Sequence, residues 1–394
     1  MIMGSIDPAT LRGSWSYPTQ VRFGPGRIRE MARACGSLGM TKPLLVTDPV
    51  LAALPMVQAG LDANAKSDMP TGLFTQVQGN PVGRNVMDGV AAYRDGGHDG
   101  VIAFGGGSAI DAAKCIALMA GQTRPLFDFE DSGSNWKRVD PAGVAPVVAV
   151  PTTAGTGSEV GRASVIIDED TATKKIIFHP TMMPGVVIAD PELTLGLPSH
   201  VTAATGMDAL AHCIEALCAP GFHPMADGIA LEGMRLVHDW LPAAHADGSI
   251  LAARAHMLVA ASMGATAFQK GLGAVHSISH PAGAMYGVHH GLANAVLLPY
   301  VLKFNRPAIE DRMTRLARLL GLNDPGFDAV MAWILELRET LGIPHSFAEA
   351  GVPEDDADTL AEAAAKDPTA PGNPVPVDAA ALKGIFLDCV RGNL

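Results

Sequence analysis

The chain has 394 residues, of which 48% are apolar and 17% charged, and its formal net charge is −12. That length exceeds one ordinary core and predicts two domains, while the composition argues against a disordered chain. The acidic balance argues against nucleic acid or an anionic membrane as the main partner, and no apolar run approaches the roughly 18 residues of a membrane helix.

Met1 to Gly13 shows no basic flank ahead of an apolar core, so no signal peptide is expected. Five cysteines (Cys35, Cys115, Cys213, Cys218 and Cys389) read as buried free thiols of a reducing, cytoplasmic setting.

In chain order, short apolar runs alternate with amphipathic text. Strands are expected at Pro43–Thr47, Leu73–Val77, Val101–Phe104, Pro146–Val150 and Val186–Ala189. Helical stretches such as Asn85–Arg94 and Ala109–Met119 lie between them. Alternation of this kind predicts a parallel, Rossmann-like sheet with helices on both faces. Ala163–Asp168 and Lys174–Phe178 flank a polar turn and predict an appended hairpin. From Pro198 onward the text is helical, with breaks expected at Pro220, Pro281, Pro307, Pro325 and Pro344. The organisation is therefore an α/β dinucleotide-binding domain, residues 1–195, followed by an all-α domain, residues 196–394. A cleft between two such domains is where a ligand is expected.

Val101–Phe104 runs into Gly105, Gly106, Gly107 and Ser108, and then into a helix. Glycines let the backbone approach a bulky anion, and the helix start offers unpaired N–H groups. The pattern is neither the usual dinucleotide fingerprint nor a P-loop, and a tight turn is the plainer reading of it alone. Asp111 reads as a helix-start acid or a cofactor contact. A second strand ends in Pro151, Thr152, Thr153, Ala154, Gly155, Thr156, Gly157, Ser158 and Glu159. Two polar loops at strand carboxyl ends make a cradle far less attributable to chance than one.

Asp208 and His212 are four apart in helical text, which stacks them on one face. His276 and His280 repeat the spacing, and either His289 or His290 follows. Three imidazoles and a carboxylate suit a first-row cation. His280 precedes Pro281, which disfavours helical geometry and would aim it differently from His276. His179, His200, His223 and His256 read as surface or structural residues.

At this point Gly105–Ser108, Pro151–Glu159, Gly206–Glu215 and Gly273–His280 with His290–Pro299 resemble the iron-containing (group III) alcohol dehydrogenases. The resemblance covers nearly the whole chain. It implies Asp208, His212, His276 and His290 as ligands of one divalent metal, iron first and zinc next, and chooses His290 over His289. It implies His280 as a non-ligand histidine near metal and nicotinamide. It also implies NAD contacts from Gly106, Gly107, Ser108, Asp111, Thr152, Thr153, Ser158 and, with Lys175 as a neighbouring rival, Lys174. A homodimer or higher homo-oligomer is implied as well. One departure is Val375 after Gly372, Asn373 and Pro374, where the family often has Arg.

Asp48 ends the first strand and could cap the next helix. By the same resemblance it faces the adenosine ribose, which favours NAD over NADP because a 2′-phosphate would meet like charge. The expected activity is hydride exchange between NAD(H) and a small aliphatic alcohol or aldehyde. Metal-free maleylacetate reductases, glycerol dehydrogenase and dehydroquinate synthase fit these motifs less well, and a non-catalytic binder would have no use for His280.

Overall fold

The computed structural model describes Tyr17, residues 19–171 and residues 173–394. Their contacts divide into two compact units. One runs up to Thr202 and adds Asp247–Ser262; the other holds Ala203–Ala246 and Met263–Leu394.

The first unit is built on six parallel strands: β1 (Gln20–Phe23), β2 (Leu44–Val46), β3 (Gly72–Phe74), β4 (Val101–Gly105), β5 (Val147–Pro151) and, after a hairpin, β8 (Val186–Ala189). The hairpin is β6 (Ala163–Asp168) against β7 (Thr173–Phe178), antiparallel as its polar turn requires. Its helices are α1 (Met31–Ser37), α2 (Pro49–Ala52), α3 (Pro55–Ala65), α4 (Gly83–Asp95) and α5 (Gly107–Met119). Every residue of β4, β5 and β8 is buried, as expected of strands inside a parallel sheet. Met31, Val57, Ile102, Phe104, Val148 and Ile188 share one core there.

The strand order is β1-β8-β5-β4-β2-β3. After β2 the chain steps outward to β3, and after β4 it steps the other way to β5. That reversal opens a crevice beyond the carboxyl ends of β2 and β4, where open α/β sheets bind ligands.

At the edges of the sheet one strand was not expected and one expectation needed correction. β1 has no apolar signature because its pattern is inverted: Arg22 is buried, whereas Val21 and Phe23 are exposed. The strand expected over Leu73–Val77 is only Gly72–Phe74, since it pairs on one side with the three residues of β2.

The second unit is helical: α6 (Ser199–Cys218), α7 (Pro224–Ala246), α8 (Leu251–Ala267), α9 (Ala274–Tyr286), α10 (His290–Leu319), α11 (Phe327–Thr340), α12 (Ala357–Lys366) and α13 (Ala379–Arg391). The opening residues of α6 and most of α8 belong with the first unit. Pro220, Pro325 and Pro344 fall between helices as expected, but Pro281 lies inside α9 and Pro307 inside α10. A proline inside a helix costs about 3 kcal/mol. Burial offsets that cost: Ala274 to His280 are buried without interruption, and α10 carries buried residues from Gly291 to Met313.

One buried strut shapes the first unit. The Lys114 ammonium, fully enclosed on α5, donates to the carbonyls of Ser158 (3.0 Å) and Ala163 and sits 3.3 Å from Asp111 Oδ1. We expect Lys114→Met to leave those acceptors unpaired and to lower stability by about 3 kcal/mol. Thermal unfolding measures this, and a melting temperature equal to wild type would contradict it.

Candidate metal centre and cofactor loops

At the carboxyl end of β4, Gly105 has φ +147°, a conformation that side chains rarely adopt. Gly107 opens α5 with Gly106 as its N-cap residue, so the backbone N–H groups there face outward unpaired by the helix. The second loop presses on this turn. A Cβ on Gly107 would lie 2.6 Å from Thr156 Cγ2, and one on Gly106 would lie 3.2 Å from Thr153 Cγ2. Thr152 N–H donates to the Gly105 carbonyl at 3.0 Å. The two loops therefore form one packed surface, and a side chain at Gly107 would force Thr156 to shift.

Asp111 holds that surface together. Its Oδ1 accepts from Ser158 Oγ, and its Oδ2 accepts from Val165 N–H at 2.8 Å. Ser108 Oγ accepts from Asn80 N–H at 3.3 Å. Asp48 does cap α2, since Oδ1 accepts from Val50 and Leu51 N–H at 2.9 Å each. Its Oδ2 remains on the crevice side, 3.9 Å from a Cβ built on Gly105. Capping and facing the loop are thus compatible. On β7, Lys175 Nζ is engaged by Asp168 at 2.8 Å, and Lys174 takes the opposite face of the strand. Glu159 is buried, and burial pushes its carboxyl up although Ser262 Oγ donates to it at 2.7 Å.

In the helical unit, Asp208 and His212 come from α6, His276 from α9 and His290 from the first turn of α10. One potential ligand atom from each lies within 4.8 Å of all the others. Asp208 Oδ1 is 3.7 Å from both His212 Nε2 and His290 Nε2. His289 instead is exposed and caps α10 through Nδ1. Gly291 explains the close approach of α10 to α6: a Cβ there would lie 2.5 Å from the Ala204 carbonyl oxygen.

Three buried electron-pair donors and a partly exposed fourth face one point, and this donor set suits a divalent first-row ion. Second contacts support that fit. Glu215, one turn beyond His212, accepts from Val275 N–H at 2.9 Å with Oε1 and pairs with His276 Nδ1 through Oε2. A carboxylate on Nδ1 leaves Nε2 to point its lone pair at a cation. Burial disfavours the His276 imidazolium, but the carboxylates of Glu215, Asp208 and Asp367 together raise its pKa. The side of the centre at His290 is the open one, with that side chain 24% exposed against 2% to 5% for Asp208 and His212.

Known protein families match the chain over most of its length. The family description "Iron-containing alcohol dehydrogenase" matches residues 18–191, and "Fe-containing alcohol dehydrogenase family, C-terminal" matches residues 202–390. The chain belongs to the iron-containing alcohol dehydrogenase family. It is accordingly an NAD-linked alcohol or aldehyde oxidoreductase. It is 41% identical to 4-hydroxybutyrate dehydrogenase of Cupriavidus necator, over 92% of this chain and 96% of that one. It matches the crystal structure of a 1,3-propanediol oxidoreductase with TM-score 0.91 at 35% identity, covering 96% of this chain and all of the other. It also matches sulfoacetaldehyde reductase from Bifidobacterium kashiwanohense, solved with NAD+, with TM-score 0.86 at 29% identity over 95% and 98% of the two chains.

His280 requires a correction against this family background. It sits within α9, so Pro281 does not aim it away from helical geometry. What distinguishes it is Asp367, whose Oδ2 is 2.8 Å from His280 Nδ1. Burial works to raise the Asp367 carboxyl, yet His280 and donors from Thr369 hold it below the ordinary range. The His280 ring stacks on that of His290, with centroids 5.5 Å apart.

The Gly-Asn-Pro segment has a mechanical role. Asn373 Oδ1 accepts from Ala274 N–H at 3.1 Å, fixing the start of α9, and its Nδ2 donates to the Val375 carbonyl at 2.8 Å. That last bond uses only the backbone carbonyl of residue 375, so it is indifferent to Val375 standing where the family often has Arg.

Sequence reasoning had not singled out Glu215, Asn294, Asp367 or Lys114 as site residues. Asn294 was detectable, being four residues from His290 on one helix face, the same spacing that linked Asp208 with His212.

We expect His276→Ala to lose both bound metal and turnover, and His280→Ala to keep its metal while turning over more slowly. Metal content by elemental analysis beside steady-state rates checks this. Equal loss of metal in the two variants would contradict the assignment.

Proposed function

We propose that this protein interconverts a short aliphatic alcohol and its aldehyde, holding one divalent cation with Asp208, His212, His276 and His290. The observation that carries the reading is the convergence of those four donors on one point. Iron is the first candidate by family and zinc the second, since imidazole-rich sets accept several metals. Bound there, the cation supplies Lewis acidity to the substrate oxygen, and NAD(H) supplies the hydride carrier.

The protein's own residues do the rest. Backbone N–H groups of Gly106, Gly107 and Ser108, with hydroxyls of Thr152 and Thr153, cradle the pyrophosphate at a helix start, and Ser158 lines the cradle beside them. Asp111 holds Ser158 in place, and Lys174 approaches from the hairpin. Asp48 accepts from the adenosine ribose with its free oxygen. The open side of the helical unit's centre, at His290, admits the substrate. His280, with Nδ1 held by Asp367, keeps its other ring nitrogen to exchange a proton. The dinucleotide role thus falls to the α/β unit and the metal role to the helical one.

A short substrate with a second polar group is supported by three relatives named for 4-hydroxybutyrate, 1,3-propanediol and sulfoacetaldehyde. We place the enzyme in the cytoplasm, where five buried thiols stay reduced. Homodimer formation is supported by edge strand β1, which exposes Val21 and Phe23.

NADH oxidation over a panel of short aldehydes, with the cation supplied, tests the reaction. We expect turnover with three- and four-carbon aldehydes carrying a terminal hydroxyl or carboxylate; none with any short aldehyde would contradict it. For the cofactor, like charges opposed can cost several kcal/mol. We therefore expect NADH to be strongly preferred over NADPH, and Asp48→Gly to narrow the kcat/KM ratio. A ratio unmoved by the substitution, with stability lowered, would reduce Asp48 to a helix cap.

A further inference from the structure

Asn294 lies one turn beyond His290 on α10 and is fully buried. Its Nδ2 is 2.7 Å from Asp208 Oδ1, 3.2 Å from His276 Nε2 and 3.1 Å from His290 Nε2. Three of the four proposed ligand atoms thus surround a single amide nitrogen. A carboxylate oxygen can only accept, so the 2.7 Å contact with Asp208 Oδ1 requires the amide's nitrogen there and fixes Nδ2 inward. That choice leaves Asn294 Oδ1 buried with no hydrogen-bond partner among the described residues. An acceptor stranded in this way costs about 1–3 kcal/mol, so it is tolerated only where the other end of the amide gains more.

The geometry points to Asn294 as a built-in placeholder, a positioning residue whose amide hydrogens occupy the metal ligands' lone pairs before a cation arrives. Two N–H groups of partial positive charge, shared among Asp208 Oδ1 and the two imidazole nitrogens, stand where the full charge will later act. They hold Asp208, His276 and His290 in register, so the centre is assembled in the metal-free protein. A cation then takes the imidazole lone pairs, and Asn294 keeps only its bond to Asp208. The amide therefore contributes more to the metal-free form than to the loaded one.

The inference rests on the proposed metal site, and its test separates the two. Thermal unfolding is measured for wild type, Asn294→Ala and Asn294→Asp, each after chelation and again after loading with Co2+, with bound metal quantified. The placeholder role predicts that both variants lose several degrees without metal and less than half as much with it. Asn294→Asp should show the wider gap, because it sets a second carboxylate beside Asp208 that only the cation relieves. By linkage the same difference appears as tighter Co2+ binding by Asn294→Ala. A variant that folds only when loaded is the extreme form of this result. Equal losses in both forms, failure to fold in either, or weaker Co2+ binding by Asn294→Ala would overturn the role, because a structural amide stabilises both forms alike. Wild type that takes up no Co2+ would overturn the metal site itself, and the placeholder with it.

Discussion

A carboxylate and three imidazoles share one buried point in the helical unit, and their mutual cost organises what surrounds them. Taking the Asp208 carboxylate out of water costs several kcal/mol unless opposite charge compensates. Three imidazole nitrogens that offer lone pairs do not compensate; a cation does. The surrounding sequence serves that approach. Gly291 lets α10 close on α6, Glu215 turns His276, and Asn373 pins the first N–H of α9. Three prolines, Pro281, Pro299 and Pro307, lie inside the ligand-bearing helices because burial along those helices outweighs their cost.

The α/β unit answers a different charge with the same economy of side chains. Glycines allow the β4–α5 turn and the loop after β5 to touch, and that contact sets hydroxyls beside a helix start. Lys114 and Asp111 are spent on holding the loop rather than on meeting solvent. The strand order places Asp48, the glycines and the threonine loop at the carboxyl ends of β2, β4 and β5.

Much of this was legible in the sequence because the signals were local. β4, β5 and β8 are continuous apolar runs, and the Asp208–His212 spacing is a helix-face rule. β1 was hidden because its single buried residue is Arg22. The helices through Pro281 and Pro307 were hidden because tertiary burial, not propensity, holds them. Spacing alone left His289 and His290 open; the geometry separates an exposed cap from a donor near Asp208. Asp367 pairs with a histidine 87 positions away, a contact no spacing rule reaches.

The account's central claim is that hydride exchange depends on one cation held by these four residues. Titrating chelated enzyme with Fe2+ or Zn2+ under exclusion of oxygen, while following NADH oxidation, tests it most directly. The account predicts negligible turnover without metal and a linear recovery that stops at one equivalent per chain. Full turnover in the metal-free protein, or recovery that needs a different stoichiometry, would contradict it.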